Sequence, residues 1–245
     1  MRRLLIALLF PAAVAQAAPP KAEAFAPLFE LAGIRLLCEQ TAPLLQRGLE
    51  QKQQEQMSDI FAADALCLDL AKRLSGQFDQ VQLNQALTFL DTPMAEEFTE
   101  AERAVGEDGA QGLATYRQQL SERAPREERM ALVRRLDAAA HTSTLATLLR
   151  YEVGKTQAFM ALQARGESID EQALSEQTKT QEKALRDSST QAVESFMLYA
   201  YRQMPSEKMA DYAAMYEQPT VAKLLDESVQ VLPELFAERR ALLKK

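Results

Sequence analysis

Two prolines, Pro93 and Pro219, most constrain what this chain can fold into, because each divides a helix-length apolar pattern in two. Proline lacks the N–H that a helix interior needs but suits a first helical turn, so each predicts the end of one helix and the start of the next. The two stand 126 residues apart (219 − 93), and sliding the chain by that offset lays one segment on another. Leu83 falls on Met209, Phe89 on Met215, Leu90 on Tyr216, Ala95 on Val221, Phe98 on Leu224 and Val105 on Val231. Spacings of three and four recur within each copy, as one face of an α-helix requires. The likeness is one of pattern, since in these pairs and the prolines only Pro and the last Val are identical.

The entrances to these helices carry their own signals. Asp79 and Gln82 make a capping-box pair, with Phe78 and Leu83 at the positions of a hydrophobic staple. Thr92 reads as the N-cap before Pro93, and Gln218 as a weaker cap before Pro219. Met204 and Met209 repeat the staple positions, and Pro205 suits a first helical turn.

Gln, Ala, Leu and Glu abound, glycines number eight, and no segment alternates as a strand should. The expectation is an all-α fold, an irregular multi-helix bundle. Helices are expected near 22–32, 34–55, 59–75, 80–91, 93–105, 110–122, 127–140, 142–164, 170–203, 206–217 and 219–242. The repeat implies one domain, 18–245, made of two related halves, 18–108 and 109–245. The only glycine cluster, Gly106 to Gly112, reads as the hinge between them. It carries two acids and no Lys-Ser/Thr, so it is no nucleotide loop. Leu28 and Leu31 match Leu136 and Ala139 if the second half holds about 18 extra residues, and the polar stretch Gly166 to Ser195 has room for them. That stretch is expected to begin as a loop or exposed helix and to return to the core through Leu185, Val193 and Phe196.

Residues 1–17 read as a secretory signal: Arg2 and Arg3, an apolar run from Leu4 to Val14, then Ala15-Gln16-Ala17 as the cleavage site. The apolar run is too short to span a bilayer, which takes ~20 residues, and no Cys follows it to carry a lipid. The chain is therefore expected in the periplasm, its mature end near Ala18, with no transmembrane span. Its net charge of −7 becomes −9 without the two arginines (26 − 35), a poor match to nucleic acid or anionic lipid. The one basic cluster, Arg239, Arg240, Lys244 and Lys245, reads as a solvated helix C-terminus, where cations favour the helix dipole.

Cys38 and Cys67 are the only cysteines. In an oxidising compartment a bridge between them would stabilise by ~3.5 kcal/mol in the loop-entropy model. Antiparallel helices bring them level only if the turn is centred near Lys52-Gln53, and a helix running to 55 leaves Cys38 about 15 Å too far along unless Pro43 or Gly48 bends the chain. A bridge and two buried thiols acting as small apolar residues both stay open. The single His141 has Asp137 and Ser143 nearby, but residues two apart on a helix do not face each other, and no Gly-x-Ser-x-Gly elbow exists. It is expected at a helix junction, with Thr142 or Ser143 capping the next helix. One histidine cannot build a ferritin-like centre, and Glu96, Glu97, Glu100 and Glu102 read as a solvated helix face. No catalytic residue, metal or cofactor is assigned.

What remains is the concentration of Tyr199, Tyr201, Met204, Met209, Tyr212, Met215 and Tyr216, which holds four of the six tyrosines. Tyrosine and methionine suit irregular cores and adaptable binding surfaces alike. The pattern Leu198-Tyr199-x-Tyr201-Arg202-x-Met204, then Met209, Tyr212 and Glu217-x-Pro219, resembles the C-terminal signature of a bacterial periplasmic family, a domain of unknown function. Phe89-Leu90-Asp91-Thr92-Pro93 resembles a first copy, and Leu28 to Ile34 looks like that family's opening helix. Gln218 and Thr92 stand where Ser is common, and Thr220-Val221 and Met94-Ala95 replace the usual small residue and glycine. The resemblance implies a periplasmic location and no assigned activity. The expected function is a non-enzymatic helical protein that binds another envelope protein through an apolar groove at 199–216. The alternatives are a carrier of a small apolar ligand or lipid in that groove and, third, a hydrolase.

Overall fold

A computed structural model describes residues 19–107 and 110–243, and no strand occurs among them. After a 3-10 turn at Ala22–Phe25 come α1 (Ala26–Leu31), α2 (Ile34–Leu45), α3 (Gln51–Ile60), α4 (Ala63–Ser75), α5 (Gln80–Leu90) and α6 (Pro93–Glu107). Then follow α7 (Ala110–Glu122), α8 (Glu127–Ala140), α9 (Thr142–Ala164), α10 (Glu171–Thr178), a 3-10 turn at Lys179–Gln181, α11 (Glu182–Ala200), α12 (Ser206–Tyr216) and α13 (Pro219–Leu242). The fold is all-α. The leader at 1–17, the centre of the glycine hinge at Asp108-Gly109, and Lys244-Lys245 lie outside the described residues.

The proline junctions form as the residues dictate. Asp79 accepts from the Gln82 N–H at 2.8 Å while the Gln82 side chain accepts from the Asp79 N–H at 3.1 Å, closing the capping box. The Thr92 hydroxyl accepts from the Ala95 N–H at 3.2 Å, so α6 starts at Pro93. Gln218 makes no such cap; its amide turns back to the Ala214 carbonyl. Pro205 lies just before the first turn of α12 rather than within it.

Two expected helices are wrong. The stretch 34–55 is two helices, because Gly48 takes a left-handed φ of 77° between them and Gln53 caps the Glu50 N–H at 3.3 Å. A left-handed glycine ends a helix at little steric expense. The chain also stays helical through 56–58, where a break was expected, and turns instead at Phe61-Ala62. The expected 170–203 helix is likewise divided by the turn at Lys179–Gln181, and it stops at Ala200. Beyond that point Arg129 of α8 takes up the Tyr201 and Met204 carbonyls, groups a longer helix would have needed for itself.

The two proline-divided pairs lie against each other: α5 packs on α12 and α13, and α6 on α12. Four of the six aligned positions are buried in both copies: Leu83 with Met209, Leu90 with Tyr216, Ala95 with Val221, and Phe98 with Leu224. All eight belong to one continuous apolar core. Burying one Phe or Leu side chain contributes about 1.5–3 kcal/mol, so these positions hold the pairs together.

Candidate functional site

The tyrosine and methionine residues assemble where α11 ends and α12 begins, against α6 and α8. Phe98 stacks on Tyr212 with ring centroids 4.0 Å apart and meets Tyr201 edge-on at 4.9 Å. Tyr212 also packs edge-on to Tyr216 at 5.3 Å, their hydroxyls 3.3 Å apart. This follows from spacing: Tyr212 and Tyr216 share one helix face. Tyr201, Met209, Tyr212, Met215 and Tyr216 are all buried. The five are covered by their own chain. Tyr199 and Met204 are half-buried; Tyr199 lies beside Tyr116 at 5.4 Å, under the Arg202 guanidinium at 4.0 Å, and against Gly112, where an added Cβ would collide with its hydroxyl.

The Tyr201 hydroxyl donates to Glu102 of α6. Burial pushes the Glu102 carboxyl above its ordinary range, only partly offset by that hydrogen bond. Glu102 therefore departs from the solvated face expected of it, whereas Glu96 and Glu100 stay exposed. Burial also raises Tyr201, Tyr212 and Tyr216, the last to about 12. Phenols this reluctant to ionise are poor nucleophiles near neutral pH; they supply area and one hydrogen bond each.

His141 sits at the α8–α9 junction in a left-handed conformation, φ 54°. The cap there is Asp137, whose carboxylate accepts from the Ser143 N–H and hydroxyl, each at 2.7 Å. His141 instead faces Asp226 of α13 at 3.1 Å. The three residues do not form a Ser-His-Asp relay, because the Ser143 hydroxyl is bonded to Asp137. No group of three or more His, Cys, Asp or Glu side chains arranged to hold a metal ion occurs among the described residues. No helix there is long and apolar enough to cross a membrane.

The shift of the α2 and α3 boundaries brings Cys38 and Cys67 together. Their sulfurs are 2.6 Å apart, so the expected 15 Å mismatch is absent. Both are free thiols and buried.

A charge cluster went unread in the sequence. Arg240 is not solvated: it is 1 % exposed, bonded to Glu152 at 2.6 Å and to Glu171 at 2.6 and 3.1 Å. Lys155, also buried, reaches Glu171 at 2.7 Å and the Ser175 hydroxyl at 2.9 Å. Burial raises Glu152 despite its two cations, while Glu171, where hydrogen bonds from Arg240 and Lys155 outweigh burial, is lowered. The cluster joins α9, α10 and α13 and fastens the polar stretch to the core, helped by buried Leu174. Arg239 likewise turns inward, to the Ile60 carbonyl and Asp69.

Compared with known proteins, the chain matches no family model, no curated protein and no solved structure.

Proposed function

We propose that this chain is a non-enzymatic helical protein of the bacterial periplasm that binds another envelope protein, in an accessory, chaperone-like or scaffold role. The leader-like residues 1–17 and the resemblance to a periplasmic family support the location. The observation that carries the binding role is the outer face of α5. Val81, Asn84, Gln85, Thr88 and Phe89 line a shallow depression there, spaced as one helical stripe. Val81 is 63 % exposed, while the opposite face, Leu83, Ala86 and Leu90, is buried. All five lining residues are uncharged in an otherwise acidic molecule. That suits a polypeptide segment with an apolar anchor for Val81 and Phe89 and polar groups for the amides and hydroxyl between them.

The tyrosine cluster is not the surface in this reading. A ligand carrier has less support, since the residues meant to line its groove pack on one another. In a crosslinked pull-down from periplasm, the wild-type chain should recover one specific partner and Val81→Glu should lose it, with unchanged circular dichroism. Recovery undiminished by V81E, or no specific partner at all, would sink the proposal. Native mass spectrometry that found a co-purifying apolar molecule would favour the carrier instead.

A further inference from the structure

The cysteine pair is more than two thiols filling a core. Cys38 on α2 is 1 % exposed, whereas Cys67 on α4 is 8 % exposed and lines a surface depression with Phe29, Glu30, Arg35 and Glu39. Arg35 is held between Glu39 at 2.8 Å and Asp64 at 2.6 Å and lines the same depression as Cys67. At 2.6 Å the sulfurs need little movement to reach a covalent length of ~2.05 Å. We propose that Cys67 and Cys38 are a thiol–disulfide exchange pair, with Cys67 as the sulfur that meets the outside and Cys38 as the one that resolves it.

The chemistry needs a disulfide as oxidant. The Cys67 thiolate attacks one sulfur of that disulfide; its S–S bond breaks and one thiolate leaves, giving a mixed disulfide on Cys67. Cys38 loses its proton and attacks the Cys67 sulfur, expelling the second thiolate. Two thiols of the chain are thereby oxidised and one external disulfide is reduced to two thiols. The product is an α2–α4 crosslink. Cys67 is suited to the first step because the hydrogen bond it shares with Cys38 and the Arg35 charge lower its pKa, while that hydrogen bond, and then burial, raise that of Cys38. This inference does not rest on the partner-binding reading.

The test is oxidised glutathione added to the reduced, purified chain under native conditions, followed by denaturing alkylation and intact mass. Wild type should lose both thiols, retain no glutathione and stay monomeric on a non-reducing gel. Cys38→Ser should trap one glutathione at Cys67, at least about tenfold faster than Cys67→Ser acquires one at Cys38. Cys38→Ala repeats the measurement should the serine disturb packing, and circular dichroism checks each variant. Two free thiols surviving in wild type, disulfide-linked dimers, or equal trapping rates in the two variants would overturn the proposal.

Discussion

Single side chains in this molecule act according to whether a partner meets them in the core. Arg240 falls on the buried stripe of α13, with Leu232, Leu235 and Phe236, and Glu152 and Lys155 fall on that of α9. Charged residues at core spacings were the available signal, and a sequence gives no way to see that they meet across three helices. Removing Arg240 leaves the buried Glu152 carboxylate with only Lys155, 3.7 Å away, to offset it. Arg240→Met should therefore cost about 3–5 kcal/mol, measured as a lowered urea midpoint, and adding Glu152→Gln should restore part of it. Glu102 behaves differently. Its folded pKa lies above its ordinary value of 4.5, so the folded chain holds that proton more tightly than the unfolded one. Its share of stability is greatest below 4.5 and falls as pH rises through the folded value. Glu102→Gln still accepts from Tyr201 and has no such loss. Denaturation midpoints should show the variant gaining on wild type from pH 4.5 upward, and a parallel pH dependence would refute the assignment.

At the level of helices, most boundaries were readable because they are set locally. The α8 and α9 limits follow from the charged first turn of one and the apolar spacing of the other, and Thr92-Pro93 and Asp79 with Gln82 acted as their residue types require. The failure at 34–55 was also local. Gly48, Leu49, Glu50 and Gln53 spell a helix end followed by a new start, but the run of helix-favouring glutamines masked it. Where α11 stops could not be read at all, since Arg129 comes from 72 positions away to take the Tyr201 carbonyl. Gly48→Ala should lower stability by about 1–2 kcal/mol, because alanine resists a positive φ. An unchanged midpoint in thermal melts would mean that the turn adjusts without it.

Across the whole molecule, the apolar pattern foretold an all-helical core but not how it is shared. The tyrosines could have been open or covered, and only the placement of α6 and α8 against them decides that. α13 packs on α4, α5 and α9, so residues from early and late in the chain complete one another. A chain stopped after Gln218 should lack a cooperative urea transition, whereas a sharp one would mean the remainder closes a core alone.

The position of α13 also bears on how the protein is made. A ribosome delivers this helix after every element it braces, so during synthesis the greasy flanks of α4 and α5 await a cover that has not yet been translated. Nascent chains would then remain pliable until α13 emerges to close over those flanks.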